Sequence, residues 1–483
     1  MDPDTFPAPI YAETVLGPNF EDAKRYFLDA LIEIHHAHTR MLAEQGILSR
    51  AEEQILKSAL HNLDRDKIAG ARYDGSCEDL FFFIEQMLEQ ACGELAGKMH
   101  TARSRNDIAI TLYRMTLRRE LLALAEAVAG VRAVILDLAE RNVDTIMPAH
   151  THTQPAQPTT LAHYLLAAIE FLARDSARIQ AAFARVNRSP MGACAITTTG
   201  FNINRDTTAA LLGFEGLAEN SYGAIASIDY VTEAAGAVAV AMVNTGKLVQ
   251  DLLLWSTREF GILRLGDAFV QSSSIMPQKR NPVSLEHTRI LSSRALGEAQ
   301  AVFTCAHNTP FGDINDSEDD LQPLVFTMFA DALRALRLLA GLLRSAQVDR
   351  EHLARRAAAD FMTVTELADT LVRETGMSFR EAHGLVAHAV KTAGADHRPQ
   401  AIASALLAEN PSLPISRDKI ERALDPEHFV HSRQVSGGPA PEVVREALSR
   451  ARDEQGDMEQ WTRLKKALLD EARSRNLATK VVA

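Results

Sequence analysis

The spacing of apolar residues predicts two long helices in the middle of the chain. In both, apolar or small side chains recur at alternating steps of four and three residues. An average step of about 3.5 residues is typical of helices that pack at about +20° in a left-handed bundle. The two sets are Leu117, Leu121, Leu124, Val128, Val131, Ile135 and Leu138, followed by Val231, Ala235, Val238, Met242, Thr245, Val249 and Leu252. The spacing therefore predicts an all-α fold with a long central helical bundle.

The chain has 483 residues, which is too long for one compact core. Shorter helices are expected in residues 1–102 and the long bundle in residues 103–351. Residues 352–483 contain shorter segments separated by the turn-forming stretches "HRPQ", "NPSLP" and "SGGPAPE". Strand patterns are scarce, and "ACAITTTGFNI" is expected to be a short hairpin or an extended loop. Three helical domains are predicted, and the apolar surplus on the long helices predicts oligomerisation.

Composition and charge narrow the function classes. Apolar residues make up 46% and charged residues 24%, which excludes a disordered chain. The net charge of −12 disfavours nucleic acid as a partner. The four cysteines have no C-x-x-C spacing, so neither a zinc site nor a disulfide framework is indicated. No apolar run approaches the roughly 20 residues that span a membrane, and the acidic, Pro-rich N-terminus lacks a secretory signal pattern. A cytoplasmic protein that does not associate with membranes is expected.

The first of three polar interruptions is "MHTARSRND", directly before the first long helix. Arg103 and Arg105 carry planar guanidinium groups that suit carboxylates. The helix that follows presents its positive N-terminal end. Further hydrogen-bonding groups come from Thr101, Ser104 and Asn106. The segment is either a carboxylate-binding element or a capping segment with solvated arginines.

The second interruption, "PAHTHTQPAQP", lies between two predicted helices. Its prolines predict a stiff loop that presents Thr151, His152, Gln154 and Gln157. In such a loop a histidine is a candidate for proton transfer. His150 and His152 form an H-x-H pair, but no acidic or thiol ligand is close in sequence, so a metal site is disfavoured.

A further histidine cluster, "HHAH", places His35 and His38 one turn apart on a predicted helix. Such a pair can hold a metal ion. Packing or surface exposure is the more common role of histidines on a helix, and it is the interpretation favoured here.

The third interruption is "SSSIMPQKRNP", from Ser272 to Pro282. Its two prolines cannot lie inside a regular helix. Lys279 is a mobile cation beside a run of hydroxyl groups, and Asn281 adds a donor. The three interruptions together offer groups that bind carboxylates, a histidine and serines for proton transfer. No Gly-rich phosphate loop or dinucleotide-binding pattern competes with that interpretation.

These motifs resemble the argininosuccinate lyase family of the aspartase/fumarase superfamily. "SSSIMPQKRNP" is similar to the superfamily pattern G-S-S-x-M-P-x-K-x-N-P. "HTARSRND" resembles H-T-G-R-S-R-N-D, and "THTQPAQP" resembles T-H-L-Q-x-A-Q-P. The likeness continues through "LLLWSTREFG" and "TELADTLVRETGMSFREAH". It covers most of the chain, apart from the N-terminus and the tail.

The resemblance implies three helical domains whose central bundle assembles into a homotetramer. It implies that each active site draws its three motifs from three different subunits. The reaction it implies is anti elimination of an N-substituted aspartate to fumarate and a free amine, with no metal or organic cofactor.

The resemblance also implies roles for individual residues. Ser273 would remove the carbon-bound proton, and its alkoxide would need stabilisation by Lys279 and by backbone N–H groups. Lys279 and Asn281 would hold the succinyl carboxylate. His152 would protonate the departing nitrogen, and Glu286 would orient His152. The other substrate-binding residues would be Thr151, Ser104, Asn106 and Gln157, with Arg103 and Arg105 supplying positive potential.

Several positions depart from the family pattern. Ser272 and Ala102 replace glycines, and Phe81 stands where the family has histidine. The family segment that contacts the arginine part of its substrate, Y-x-x-D-x-Q-E-D-K, becomes "GDINDSEDD". Asp320 there replaces lysine. Such a reversal of charge is worth several kcal/mol at an effective dielectric near 20, which is enough to change the choice of substrate.

The function predicted from the sequence is an argininosuccinate-lyase-type carbon–nitrogen lyase, with argininosuccinate as one candidate substrate. An alternative substrate is a different aminodicarboxylate, of the ethylenediamine-disuccinate (EDDS) type. A remote alternative is a crystallin-like structural protein, against which the retained Ser273, His152, Lys279 and Glu286 argue.

Overall fold

Both predicted seams are buried in the computed structural model, which describes residues 6–478. None of their fourteen residues is more than 5% exposed. They lie on helices α8 (Arg105–Glu140) and α12 (Asp229–Trp255), of 36 and 27 residues. The predicted all-α fold with a long central bundle is therefore confirmed.

Short helices precede the bundle and pack on its first part. Asp79 caps one of them, α6, by accepting from the backbone N–H of Phe82 at 3.0 Å. A five-residue π-helical turn, Ala12–Leu16, separates the first two helices. The helices of this region are α1 (Pro9–Tyr11), α2 (Gly17–Tyr26), α3 (Leu28–Glu44), α4 (Arg50–His61), α5 (Arg65–Gly70), α6 (Leu80–Cys92) and α7 (Leu95–Lys98).

The bundle consists of long helices that alternate in direction. Arg185 near the end of α9 pairs with Glu233 near the start of α12 at 3.0 Å. At the opposite end of the same helices, the hydroxyl of Tyr164 donates to Asp251 at 2.6 Å. The elements of the bundle after α8 are α9 (Leu161–Val186), α10 (Arg205–Leu211), α11 (Ser221–Ala226), α12, α13 (Val283–Ala306) and α14 (Gln322–Arg344).

Because α8 runs the length of the bundle, its two ends serve as reference points. The Ser104 end is the end at which α8 begins, directly after Ser104. The His152 end is the end at which α8 finishes and the chain enters the segment that carries His152. The 36 residues of α8 separate the two ends by about 54 Å.

Within residues 6–478, three small antiparallel pairs of strands lie around the bundle. All of them lie outside the long helices, in connections of the chain. The stretch "ACAITTTGFNI" forms turns and an extended loop between helices and contains no strand. The pairs are β1 (Ile146–Thr151) with β2 (Gln154–Thr160), β3 (Leu263–Arg264) with β6 (Gln347–Val348), and β4 (Gln271–Ser272) with β5 (Arg280–Asn281).

After α14 a second, smaller hydrophobic core forms from residues between Leu367 and Leu424. The last helix then returns to the bundle and packs along α8. Arg132 on α8 is completely buried and donates to Ala451 O at 2.8 Å and to Gln455 Oε1 at 3.1 Å. The helices of this region are α15 (Arg350–Ala357), α16 (Val364–Thr375), α17 (Phe379–Ala393), α18 (Pro399–Glu409), α19 (Arg417–Ala423), α20 (Pro426–His431) and α21 (Pro441–Leu477).

Within residues 6–478, α12 is the one helix that is long and apolar enough to cross a membrane, with a mean hydropathy of 1.3 over its most apolar stretch. Its seam residues pack against α9, α13 and α14. The charged residues Glu233, Lys247 and Asp251 also lie along it. A core helix of a bundle meets the same criteria of length and composition, and that is the position α12 occupies.

Candidate active site

The motif at the Ser104 end forms the N-terminal cap of α8. Ser104 and Asp107 make a reciprocal capping box, in which the Ser104 N–H donates to Asp107 Oδ1 at 2.8 Å. The other carboxylate oxygen of Asp107 accepts from the backbone of Gly192 at 2.8 Å and of Cys194 at 3.0 Å. Burial raises the pKa of Asp107 to about 6, and these backbone donors oppose that rise. The cap therefore ties the motif to a second loop and fixes its backbone.

Asn106 lies in the same network. Its side-chain NH₂ donates to Ala195 O at 3.1 Å, and its Oδ1 accepts from the Ser104 hydroxyl at 3.1 Å. Both side chains are held in place before any ligand binds, which is the preorganisation that a carboxylate-binding site needs.

Arg103 faces the interior of the protein. Its side chain is 0% exposed, and its Nη1 donates to Nδ1 of His35 at 2.8 Å. Nη2 lies 3.7 Å from Glu85, and burial lowers the pKa of Arg103 to about 10. In this conformation the guanidinium stabilises the motif from behind. Contact between Arg103 and a substrate stays a prediction.

The "HHAH" histidines support the same motif. His38 Nε2 donates to Thr101 O at 2.8 Å. Burial lowers the pKa of His38 to about 3 and that of His35 well below its ordinary value, so both rings are neutral. Within residues 6–478 no group of three or more His, Cys, Asp or Glu side chains is arranged to hold a metal ion. The packing interpretation of these histidines agrees with the structure.

In front of the motif lies a cavity of about 430 Å³. Arg105 contributes to its wall and forms ion pairs with Glu78 at 2.7 Å and Asp79 at 2.8 Å. The opposite wall comes from the "GDINDSEDD" segment, where Asp319 accepts from the Tyr113 hydroxyl at 2.6 Å. We call this the Ser104 cavity, and its polar lining residues are Glu78, Asp79, His100, Ser104, Arg105, Asn106, Tyr113, Asp313, Asn315, Glu318, Asp319 and Asp320, together with Tyr11 and Asn19.

The motif that carries His152 is a β-hairpin. His152 and Thr153 are the two turn residues, with φ of 51° and 61°, as in a two-residue type I′ hairpin turn. Such angles are unusual for a residue with a side chain and a genuine outlier for a β-branched one. Thr151, His152 and Thr153 are exposed, so the turn projects the imidazole into solvent. Strained backbone of this kind is concentrated at functional sites.

Other contacts fix the base of this hairpin. Gln157 on β2 donates through Nε2 to the Thr365 hydroxyl at 3.1 Å, which ties the hairpin to α16. Pro148 and Pro158 stand opposite each other in the register of β1 and β2. The prolines predicted from the sequence to stiffen a loop instead stiffen a two-stranded ribbon.

The third motif is also a small hairpin, with β4 and β5 as its arms. Ser273 follows β4 directly, and its Oγ accepts from the backbone N–H groups of Ile275 at 3.3 Å and Met276 at 3.1 Å. Arg280 anchors the arms by an ion pair to Asp267 and a hydrogen bond to the Leu265 carbonyl at 2.8 Å. Two backbone donors therefore already point at the oxygen that would carry negative charge as an alkoxide.

Lys279, Asn281 and Glu286 lie close to Ser273 in sequence. Lys279 is exposed between the strands, Asn281 pairs with Gln271 in the sheet, and Glu286 is exposed in the first turn of α13. Within residues 6–478, neither Lys279 nor Glu286 forms a side-chain ion pair. Both charges are available to a ligand or to another chain.

A single chain does not bring the three motifs together. Ser104 and His152 lie beyond opposite ends of α8, a helix about 54 Å long. The chain before and after the Ser273 hairpin belongs to α12 and α13 at the His152 end. In the described part of the chain no hydrogen bond or ion pair links any two of the motifs. Each chain presents parts of a site at both of its ends.

Two family models match the chain. The model described as "Lyase" matches residues 39–297, and "Argininosuccinate lyase C-terminal" matches residues 361–431. Argininosuccinate lyase 2 of Agrobacterium fabrum is 42% identical over 95% of this chain and 93% of its own length. The chain belongs to the argininosuccinate lyase family. Argininosuccinate lyase of Methanoculleus marisnigri is 39% identical over 89% of this chain and 88% of its own length.

The backbone of this argininosuccinate lyase family member is also similar to solved structures of other proteins. EDDS lyase in complex with formate superimposes with a TM-score of 0.85 at 34% identity, covering 96% of this chain and 95% of that one. An EDDS lyase variant with bound fumarate gives a TM-score of 0.86 at the same identity and coverage. The family member is a carbon–nitrogen lyase.

Two sets of contacts around the Ser104 motif were not predicted from the sequence. His35 and His38 hold Arg103 and Thr101. Their spacing of one helical turn was visible in the sequence, but their partners were not. Tyr113, about two and a half turns further along α8 than the cap, holds Asp319 of the cavity wall. No sequence signal indicated that contact, because it joins segments 206 residues apart.

Proposed function

We propose that this family member cleaves an N-substituted aspartate by anti β-elimination to fumarate and a free amine, with argininosuccinate as one candidate substrate. The observation that carries the proposal is the geometry at Ser273. A serine is a very poor base unless its alkoxide is stabilised. The N–H groups of Ile275 and Met276 reach its oxygen at 3.3 and 3.1 Å, as an oxyanion-stabilising pair does.

Ser273 takes the proton from the carbon beside the succinyl carboxylate. The electron pair released from that C–H bond spreads onto the carboxylate as an aci form. Lys279 and Asn281 hold this carboxylate and offset its growing negative charge. The absence of an intramolecular partner for Lys279 within residues 6–478 leaves its ammonium free for this role.

Elimination is completed when the C–N bond breaks and the carbon–carbon double bond of fumarate forms. His152 gives a proton to the departing nitrogen, directly or through water, and Glu286 of another subunit orients the imidazole. Thr151 and Gln157, on the same hairpin as His152, contribute to carboxylate binding. Ser104 and Asn106 bind the second carboxylate, with positive potential from Arg105 and from Arg103 behind it.

In this arrangement the enzyme is a homotetramer, and three of its subunits contribute one motif each to a site. The length of α8, about 54 Å, supports it, because the helix places Ser104 and the His152 hairpin at opposite ends of the bundle. A face of the bundle suited to further chains is also present. It contains a groove of about 620 Å³ between α9, α12 and α13, and the exposed apolar side chains Val240, Val243 and Ile290 lie on α12 and α13. The enzyme acts in the cytoplasm.

A second candidate is elimination of an EDDS-type aminodicarboxylate. The observation in its favour is the close backbone similarity to EDDS lyase, at a TM-score of 0.86. Both candidates use the same carbon acid and the same product, and they differ in the departing amine.

The test is release of fumarate, followed by its ultraviolet absorbance, from argininosuccinate and from EDDS. Release from at least one of these or from another N-substituted aspartate is expected. If a panel of such compounds yields no fumarate, and fumarate with amines yields no adduct, the proposed function is wrong.

A further inference from the structure

The Ser104 cavity has an excess of negative charge. Six carboxyl groups line it, and Arg105 is its one lining lysine or arginine. Arg105 already forms ion pairs with Glu78 at 2.7 Å and with Asp79 at 2.8 Å. Burial and the neighbouring Asp313 raise the pKa of Glu318 well above its ordinary value, so this pair retains a proton. Even with that proton and Arg105 included, several negative charges remain uncompensated.

We infer that the amine released by this enzyme carries a second cationic group and no carboxylate. The inference rests on the proposed function: Ser104 and Asn106 on one wall of the cavity bind the second succinyl carboxylate, and the opposite wall, from Asp313 to Asp320, faces the departing amine. A cavity of about 430 Å³ accommodates an aliphatic amine or guanidine of several carbon atoms. The carboxylates of the wall from Asp313 to Asp320 stabilise an ammonium or guanidinium group of the amine and repel a carboxylate on it.

Asp320 is the specificity-determining residue in this arrangement. It lines the cavity, it is exposed, and within residues 6–478 its carboxylate forms no ion pair. The other acidic residues of the wall already have partners: Asp319 accepts from Tyr113, and Glu78 binds Arg105. Asp320 is therefore the carboxylate most available to a cationic group of the ligand.

The same segment supplies a matched control. Asp316 is exposed on the short 3₁₀ turn Asn315–Ser317 and does not line the cavity. Asp316→Lys and Asp320→Lys make the same change in net charge four residues apart. A difference between the two variants then reports the position of the charge relative to the cavity.

The experiment uses the reverse reaction, in which the N–H of an amine adds across the double bond of fumarate. Two pairs of amines are compared, agmatine with arginine and putrescine with ornithine. Within each pair the members differ by a single carboxylate. Consumption of fumarate gives kcat/KM for each amine with the parent enzyme and with both variants, and circular dichroism checks that the variants are folded.

The parent enzyme is expected to prefer the carboxylate-free member of at least one pair by about tenfold or more. Asp320→Lys is expected to reduce that preference at least tenfold, and Asp316→Lys to leave it within about twofold. A parent enzyme that uses arginine or ornithine equally well or better overturns the inference, and so does a preference that Asp320→Lys leaves unchanged. In those cases turnover itself upholds the proposed function. If fumarate is neither consumed with any amine nor released from argininosuccinate, the result contradicts the proposed function itself and not only the inference about the amine.

Discussion

Arg103 donates to the ring nitrogen of His35 at 2.8 Å in a region from which water is excluded. This contact joins α3, in the N-terminal region, to the cap of α8. A buried guanidinium needs an acceptor, because an unpartnered charge in the interior is costly. The neutral state of His35, which follows from its burial, makes Nδ1 such an acceptor.

Replacing His35 with Leu is expected to lower the free energy of unfolding by about 2–3 kcal/mol, since Arg103 loses its acceptor. Urea-induced unfolding measures the change. His61→Leu, at an exposed position of α4, is the control and is expected to stay within about 0.5 kcal/mol of the parent. Equal stability of the two variants would mean that Arg103 is held by other contacts.

The contribution of His36 to stability is expected to fall as the pH is lowered from about 7 to about 4. Burial lowers the pKa of His36 to about 4, whereas the unfolded chain titrates near 6.5. Below pH 6.5 the unfolded state therefore binds more protons than the folded state. The stabilisation is complete above the unfolded pKa and is lost as the pH falls toward the folded pKa.

For His36 this loss amounts to about 3 kcal/mol. Unfolding measured at a series of pH values gives the slope, which His36→Leu should flatten. His431→Leu, at an exposed position of α20, is the control. An unchanged slope in His36→Leu would show that folding does not lower the pKa of His36.

Ser273→Ala is expected to lower kcat about 10³-fold, because general base catalysis contributes roughly 10²–10⁴-fold. Ser404→Ala, at an exposed position of α18 outside the three motifs, is the control and is expected to change kcat by less than about threefold. Size-exclusion chromatography of both variants checks that assembly is intact. Substantial turnover in an assembled Ser273→Ala enzyme would require a different base.

Two inactive variants are expected to restore activity when they share an oligomer. Asn106→Ala damages the Ser104 end, and His152→Asn removes the proposed acid at the His152 end. When the two chains are unfolded together and reassembled, about one site in four receives both intact motifs from different chains. About a quarter of the parent activity should return, and each variant reassembled alone is the control. Recovery of no activity would place both motifs in sites built from one chain.

The bundle could be predicted because helical burial repeats along the sequence. A step of about 3.5 residues selects the face of α8 and α12 that packs inward, and every selected residue is buried. The cap at Ser104 was also visible in part, since serine followed three residues later by an acidic side chain is a common start of a helix.

The two hairpins could not be predicted in the same way. A type I′ turn is normally signalled by Asn-Gly or Gly-Gly, whereas this turn contains His152 and Thr153. Its conformation is imposed by β1, β2 and the contact of Gln157 with α16. The return of α21 to the bundle was equally hidden, because Arg132 meets Gln455 only across 323 residues of sequence.

The partners of the Arg103 and Arg105 side chains could not be predicted for a related reason. Both were assigned to positive potential in the site. In the structure Arg103 donates to His35, and Arg105 forms ion pairs with Glu78 and Asp79. Which partner an arginine finds depends on residues that are distant in sequence, and composition alone does not rank them.

The length of α8 has a consequence for how this chain can change. Amino acids along the helix can be exchanged while their apolar period is kept. The number of residues between Ser104 and the first strand, however, sets the distance between the two ends of the bundle. Deleting one heptad would shorten the distance between the two half-sites by about 10 Å. Every copy in an assembly would then misplace both of its contributions at once, so insertions and deletions in α8 are tolerated only if the partner helices change by the same length.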